Sequence, residues 1–155
     1  MIVSMCRPHF ASTEAVVVAI REVARQFDLE VRTTDEIGAD QVSRRTSAGA
    51  FSVIDPDGSL PHEAFVELSG FPAVTVQVFP DDDAKITVDG IEFPDVPRDA
   101  VPAFLRAVHS GTAHVKGTVF PPGWWLIVPL PGDETYKELV PRGTLSPWLS
   151  RSVRR

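Results

Sequence analysis

Apolar positions near the start of the chain recur with the period of an α-helix. Within residues 13–27, valine, isoleucine, alanine and phenylalanine side chains recur three or four positions apart, and charged side chains lie between them. Ser12 or Thr13 stands at the start of this run, where a hydroxyl oxygen can accept a hydrogen bond from a free backbone N–H. The pattern predicts an amphipathic helix that packs one face against a sheet.

The periodicity then changes from helical to alternating. Residues 29–34 alternate as a strand, and residues 35–50 show no regular period and are predicted to form a loop. Farther along, short β-branched and aromatic runs are separated by proline and glycine turns, and Asp89-Gly90 is expected to form a type I′ hairpin turn. The further predicted strands are residues 50–55, 64–68, 73–79, 85–93 as a hairpin, 112–120 and 124–130.

A second helical pattern follows the predicted hairpin. Four apolar residues between positions 101 and 108 recur at helical spacing. Asp99 is expected to cap the N-terminus, Pro102 falls within the first turn, and Gly111 can end the helix. The sequence therefore predicts two amphipathic helices, one before and one after the main series of strands.

These elements predict an α+β fold. We expect an antiparallel meander sheet of about six to eight strands, with the two amphipathic helices packed on it as a two-layer sandwich. Residues 1–131 are predicted to form one domain, and residues 132–155 a C-terminal loop and basic tail that packs on it through Trp148. A chain of 155 residues buries roughly two thirds of its unfolded surface, which suffices for a core without metals or disulfides.

The formal net charge of −6 is distributed unevenly along the chain. Residues 55–99 contain 11 acidic side chains against Lys85 and Arg98, whereas residues 100–155 contain 3 acids and 7 bases. Negative potential attracts basic proteins and repels phosphate backbones. We therefore expect a basic protein partner and no binding of nucleic acid.

Composition also predicts where the protein acts. No stretch approaches the roughly 18 consecutive apolar residues of a membrane-spanning helix, which predicts no membrane contact. Glu14 interrupts the apolar stretch near the start, and no basic region precedes it, which disfavours a secretory signal. The 12 arginines against 3 lysines, with abundant alanine, valine and proline, indicate a GC-rich bacterial genome. We expect a cytoplasmic bacterial protein.

The patterns of metal ligands are incomplete, so no metal and no other cofactor is predicted. Residues 81–83 are three aspartates with Glu92 at the twelfth position, but Lys85 and Ile86 occupy positions where a calcium loop needs an oxygen ligand and a glycine. Cys6 is the only cysteine, which excludes an internal disulfide and a cysteine-cluster zinc site. The four histidines also lack the spacing of a zinc motif; they are His9, His62, His109 and His114.

Catalytic motifs are also missing from the sequence. Asp55 and Asp57 fit a Pro-Asp-Gly turn better than a pair of acid–base carboxylates, and Ser69 lacks the preceding glycine of a nucleophile elbow. Neither of the usual glycine-rich phosphate loops occurs. We therefore expect no enzymatic activity. The alternative is an enzyme of unrecognised type that uses strand-end carboxylates with His62 or His109.

Two adjacent tryptophans begin the strand predicted at residues 124–130. Because strand side chains alternate, Trp124 and Trp125 must point to opposite faces, so one can enter the core while the other faces out. An exposed tryptophan is a frequent hot spot of protein interfaces. Each of the two is therefore a candidate for contact with a partner.

The sequence as a whole favours a protein-binding module over an enzyme. We expect an immunity-type inhibitor that docks an acidic face on a basic toxin or effector domain, an analogy with a class of proteins rather than a motif match. A homodimer is the other association considered, signalled by an exposed apolar strand edge. The predicted partner-binding residues are Asp81, Asp82, Asp83, Asp89, Glu92, Trp124 and Trp125.

Overall fold

The structure is a computed structural model that describes residues 9–36, 63–80, 83–120, 122–141 and 145–154. Its elements follow the chain as helices and two groups of strands. The helices are α1 (Thr13–Gln26), α2 (Val101–His109) and α3 (Pro147–Arg151), with a 3₁₀ turn at Arg98–Ala100. The strands are β1 (Glu30–Glu36), β2 (Glu63–Ser69), β3 (Val74–Val78), β4 (Asp83–Val88), β5 (Ile91–Pro97), β6 (His114–Val119), β7 (Pro122–Pro129) and β8 (Thr135–Val140).

The first predicted helix is confirmed as α1. The Ser12 hydroxyl caps it by accepting a hydrogen bond from the Ala15 backbone N–H. The apolar stripe faces inward, because Val16, Ile20 and Val23 are completely buried. Charged side chains on the opposite face stay in water, which fixes the side of α1 that packs on the sheet.

Strands β1 to β5 form one antiparallel sheet in sequential order. The predicted hairpin between β4 and β5 is confirmed: Asp89 and Gly90 have φ angles of 51° and 89°, as a type I′ turn requires. Most links between these strands are short, which agrees with the predicted meander. The strand predicted at residues 50–55 and most of the loop predicted at residues 35–50 lie outside the described residues.

Strands β6 to β8 form a second antiparallel sheet with β7 in the centre. Strand β8 corrects the prediction that the chain after Pro131 is loop and tail. The sequence Thr135–Val140 gives a weak apolar signal because Val140 is its only buried side chain. The strand is instead held by uninterrupted antiparallel pairing with β7.

The two sheets share one core with α1 and α2, and the predicted α+β fold is confirmed. Helix α1 contacts β1 and β2, and α2 contacts both α1 and β7. Phe104 of α2 is fully buried and joins the sheets, since its ring lies 5.0 Å from that of Phe93 on β5 and 5.9 Å from that of Tyr136 on β8. The single predicted meander is therefore divided into two sheets around this helix.

The start of α2 differs from the prediction. A 3₁₀ turn precedes the helix, and the side chain of Asp99 makes no capping hydrogen bond to it. Asp99 instead accepts hydrogen bonds from the Phe10 backbone N–H at 2.8 Å and pairs with His9 Nδ1 at 3.0 Å. It therefore attaches the segment before α1 to the start of α2.

The pKa of Asp99 reflects these contacts. Partial burial acts to raise the pKa of this carboxyl, but the hydrogen bonds from Phe10 and His9, together with the positive charges of His9 and Arg98, outweigh it and lower the pKa below its ordinary value. The carboxylate therefore stays ionised and keeps accepting both hydrogen bonds at neutral pH.

The C-terminal segment packs against β6. Trp148 and Leu149 of α3 are buried, and the backbone N–H of Val115 donates to the Ser152 carbonyl at 2.8 Å. The N–H of Arg154 in turn donates to the Val115 carbonyl at 2.9 Å, which forms a short parallel bridge. These contacts hold the end of the chain on one edge of the three-stranded sheet.

Candidate protein-binding surface

The outer face of the five-stranded sheet presents polar side chains opposite the core. Along β2 to β4, alternate residues such as Val66, Val76 and Ile86 are completely buried. Their neighbours point to the other face and stay exposed or half-buried, as the two-residue period of a strand requires. We call this outward side of β1 to β5 the acidic face.

Carboxylates outnumber bases on the acidic face. Among the outward residues that pair in the strand register and whose side chains are described, five are acidic and two, Arg32 and Lys85, are basic, a net charge of −3; the exposed Asp95 at the bulge of β5 adds a further carboxylate. The five carboxylates belong to Glu30, Glu63, Glu67, Asp83 and Glu92. Four of these five come from residues 55–99, so the acidic bias of that segment is in large part displayed on one side of the sheet.

The two bases neutralise this face only in part. Lys85 Nζ lies 3.4 Å from Glu92 Oε1, with Glu92 exposed and Lys85 half-buried. Arg32 stands opposite Glu67 in the register of β1 and β2. Exposed pairs of this kind contribute about 0–1 kcal/mol and are easily exchanged for contacts with a partner. The carboxylates therefore remain open to a basic surface.

An aromatic side chain interrupts the polar residues of the acidic face. Phe65 is 38% exposed in the second strand of the sheet, beside Thr34 and Gln77 in the strand register. These residues and Glu63 line a shallow depression of about 430 Å³. An apolar ring among polar side chains is the arrangement found at many protein interfaces, where a desolvated centre is ringed by polar contacts.

Other described surfaces carry a different charge. The exposed charges of α1 balance, with Glu14 and Glu22 against Arg21 and Arg25. The three-stranded sheet with its β7–β8 turn and the C-terminal segment together carry four bases against three acids, a net charge of +1; these are Lys116, Lys137, Arg151 and Arg154 against Asp133, Glu134 and Glu138. The described molecule is thus polarised, with its negative side on the five-stranded sheet.

The predicted acidic residues do not all lie on the acidic face. Asp83 and Glu92 do, at outward positions of β4 and β5. Asp89 is instead half-buried in the hairpin turn, where it accepts a hydrogen bond from the Ser146 hydroxyl. The Ser146 oxygen also accepts from Leu149 N at 3.1 Å and so caps α3. Asp89 thus attaches α3 to the sheet, and Asp81 and Asp82 lie outside the described residues.

Sequence reasoning missed three members of the acidic face. Glu30, Glu63 and Glu67 are not among the partner-binding residues that the sequence predicts. The signal was present, because Glu30 and Glu67 occupy polar positions that alternate with apolar positions of predicted strands, and Glu63 directly precedes the strand predicted at residues 64–68. What the sequence lacked was the strand order, which places β1 and β2 beside β3 and β4.

The two tryptophans lie in the three-stranded sheet, apart from the acidic face. They point to opposite faces, as alternation predicted. Trp125 is half-buried on the outer side, where its indole N–H donates to Thr118 Oγ1 at 3.3 Å and Lys137 Nζ lies 5.6 Å from its ring centroid. Trp124 points to the face of the sheet that packs on the core, but it lies past the last buried residues of that face and remains 40% exposed. Its ring packs against Gly117.

His109, a residue of the alternative enzymatic hypothesis, ends helix α2 beside Phe27. The two ring centroids are 5.7 Å apart, and His109 Nε2 is buried without a hydrogen-bond partner among the described residues. Burial lowers the pKa of His109 below its ordinary value of 6.5. His62 lies outside the described residues, so its position relative to His109 is not defined.

We expect this histidine to make the fold acid-sensitive. Because its folded-state pKa lies below 6.5, the unfolded chain binds the proton more readily, and stability is lost as the pH falls below 6.5 towards the folded-state pKa. The variant His109→Phe keeps the ring against Phe27 and cannot titrate. Thermal unfolding of both proteins is measured between pH 7.5 and 5. The unfolding midpoint, Tm, should fall less for the variant than for the wild type. Parallel declines would contradict the assignment.

The described residues contain no cluster of three or more histidine, cysteine, aspartate or glutamate side chains placed to hold a metal ion. None of the helices in this part of the chain has the length and apolar character needed to cross a bilayer. Comparison with known proteins gave no match to a family model, to a curated protein or to a solved structure.

Proposed function

We propose that this chain is a cytoplasmic protein-binding module that docks its acidic face on a basic surface of another protein. The observation that carries the proposal is the concentration of carboxylates on one side of the five-stranded sheet, against nearly balanced charge elsewhere in the described residues. A potential of one sign on one side orients an approaching partner as well as attracting it.

The acidic face has the two components that a protein interface needs. Phe65 and its depression offer apolar contact near the β1 edge of the sheet, and the carboxylates around it give attraction and register. Interface charges act mainly on the rate of association and on specificity, while buried aromatic contacts contribute most of the affinity. We therefore assign attraction to Glu67, Asp83 and Glu92, and contact to Phe65.

The finer proposal is an immunity-type inhibitor of a toxin or effector domain from a bacterium. A domain that attacks nucleic acid needs a basic surface to bind the phosphate backbone. A rigid sheet that presents carboxylates can occupy such a surface and exclude the substrate. Inhibition in this form requires no catalytic group and no cofactor from the inhibitor.

The proposal is tested by capture of partners from the native lysate with three immobilised proteins. These are the wild type, the acidic-face variant Asp83→Lys/Glu92→Lys and the control Glu14→Lys/Glu22→Lys, which makes the same change in net charge on α1. We expect a basic protein retained by the wild type and the control and lost from the acidic-face variant. Equal retention by all three, or a partner of acidic character, would contradict the proposal. Inhibition of a captured nuclease by the wild type would support the finer proposal, and undiminished cleavage would refute it.

A further inference from the structure

A second surface of the molecule is apolar and exposed. Val119 at the end of β6 is 83% exposed, and Phe120 in the turn that leads to β7 is 93% exposed. Trp124, Leu139 and Leu145 are also exposed. We call these five residues the apolar end. Residues 117–132 contain no charged side chain, so charge repulsion within this segment does not oppose its close approach to another apolar surface.

The apolar end combines a projecting ring with a depression. Phe120 projects at the tip of the hairpin, next to Pro122, which pairs with Val119. The depression, of about 330 Å³, is lined by Pro122, Gly123, Trp124, Leu139, Val140, Pro141 and Leu145. A cavity of about 150 Å³ is enough to hold a benzene ring, so this depression has room for a phenylalanine side chain.

The depression is built by specific packing. A Cβ atom added at Gly117 would lie 3.0 Å from the Trp124 ring, and one added at Gly123 would lie 3.2 Å from Leu139. The two glycines thus let Trp124 and Leu139 lie close to the sheet and form the walls of the depression. Trp124 lies outside both the acidic face and the centre of the core, and its role in this arrangement is to form a wall of the depression.

We infer that the occupant of the apolar end is a second copy of this chain, with Phe120 of each copy in the depression of the other. A projection and a depression on one surface can be satisfied reciprocally by a two-fold axis, which is the geometry of an isologous dimer. This association uses the three-stranded sheet, whereas the proposed function uses the acidic face of the five-stranded sheet. The dimer therefore extends beyond the proposed function, and the two proposals can be tested independently.

The size of the surface agrees with a dimer interface. The five side chains of the apolar end expose on the order of 600 Å², and Pro122 and Pro141 at its border add to this. Specific interfaces bury about 600–1,000 Å² on each partner, so the apolar end reaches the lower end of this range, and it lies at the upper end of the roughly 300–600 Å² that the largest apolar patch of a typical monomer covers. The apolar end is therefore large enough for a specific dimer.

The first test is sedimentation equilibrium of the full chain over a dilution series. We expect the wild type to form a dimer and Phe120→Glu to weaken it at least about 30-fold, as loss of an interface hot spot does. The control Val18→Glu places the same charge at a 56% exposed valine of α1 and should leave the dimer unchanged. Circular dichroism establishes that both variants fold.

A complementation test distinguishes this dimer from other forms of self-association. Phe120→Ala keeps the depression and loses the ring, whereas Leu139→Glu keeps the ring and places a charge in the depression. Each variant alone should be monomeric at concentrations where the wild type is dimeric. When the two variants are mixed, they should form a heterodimer. One contact remains intact, because Phe120 of the Leu139→Glu protein can enter the unaltered depression of the Phe120→Ala protein.

Any of the following results would overturn the inference. The wild type could remain monomeric throughout the dilution series, the dimer could be insensitive to Phe120→Glu, or the mixture could associate no better than its separate components. Binding of a monomeric wild type to phospholipid vesicles through Phe120 would also overturn it, because the apolar end would then have a lipid occupant.

Discussion

Replacing Phe104 by alanine is expected to lower the free energy of unfolding by about 3–5 kcal/mol, as deletion of a large buried aromatic does. Phe104 is completely buried, and its ring contacts those of Phe93 and Tyr136 from the two different sheets. Its loss leaves a cavity where the sheets meet and removes two aromatic contacts. The predicted loss is a large part of the 5–15 kcal/mol by which domains are stable.

Urea denaturation followed by tryptophan fluorescence and by circular dichroism measures this effect. Phe104→Leu retains most of the apolar volume and should lower the free energy of unfolding less than Phe104→Ala does. Val18→Ala, at an exposed position, should change it by less than about 0.5 kcal/mol. If the two sheets share one core, both probes will report a single transition that shifts as a whole. A loss below 1 kcal/mol, roughly what an ordinary substitution costs, would contradict the position of Phe104.

Reversing two charges on the acidic face should slow association with a basic partner by about tenfold or more at low salt, within the range that electrostatic attraction contributes to such rates. The variant Asp83→Lys/Glu92→Lys changes the charge of the face by four units and leaves the buried side of the sheet untouched. The depression beside Phe65 is also unchanged, so the dissociation rate should change less than the association rate.

Stopped-flow mixing with the captured partner at a series of salt concentrations measures the association rate. The wild-type rate should fall as salt increases, because the Debye length shortens from about 10 Å at 0.1 M to about 3 Å at 1 M. The variant should show a flatter dependence, so that the two rates converge at high salt. The control Glu14→Lys/Glu22→Lys should follow the wild type. A variant that associates as fast as the wild type at low salt would show that the acidic face serves solubility alone.

Local signals in the sequence predicted the local structure. The Ser12 cap, the apolar stripe of α1 and the positive φ angles at Asp89 and Gly90 follow from side-chain chemistry within a few residues. Pro102 in the first turn of α2 and Gly111 after its end follow from the same rules. These features depend on neighbours along the chain, which the sequence displays directly.

The candidate site depended on neighbours across the fold. Asp89 belongs to the acidic segment of the sequence, yet Ser146, 57 residues away, occupies its carboxylate. Asp99 resembles a helix cap but binds the backbone before α1. Glu30 is remote from the acidic segment and joins the acidic face only because β1 pairs with β2. The charge counted along a chain therefore predicts the sign of a surface better than it predicts which residues form that surface.

Carboxylate labelling of the free and partner-bound protein tests the central claim most directly. A carbodiimide couples an amine to accessible carboxylates, and mass spectrometry reports the extent at each residue. The account predicts that binding of the captured basic partner protects Glu63, Glu67, Asp83 and Glu92, while Glu14 and Glu22 on α1 react as before. Unchanged labelling on the sheet with protection on α1 would contradict it.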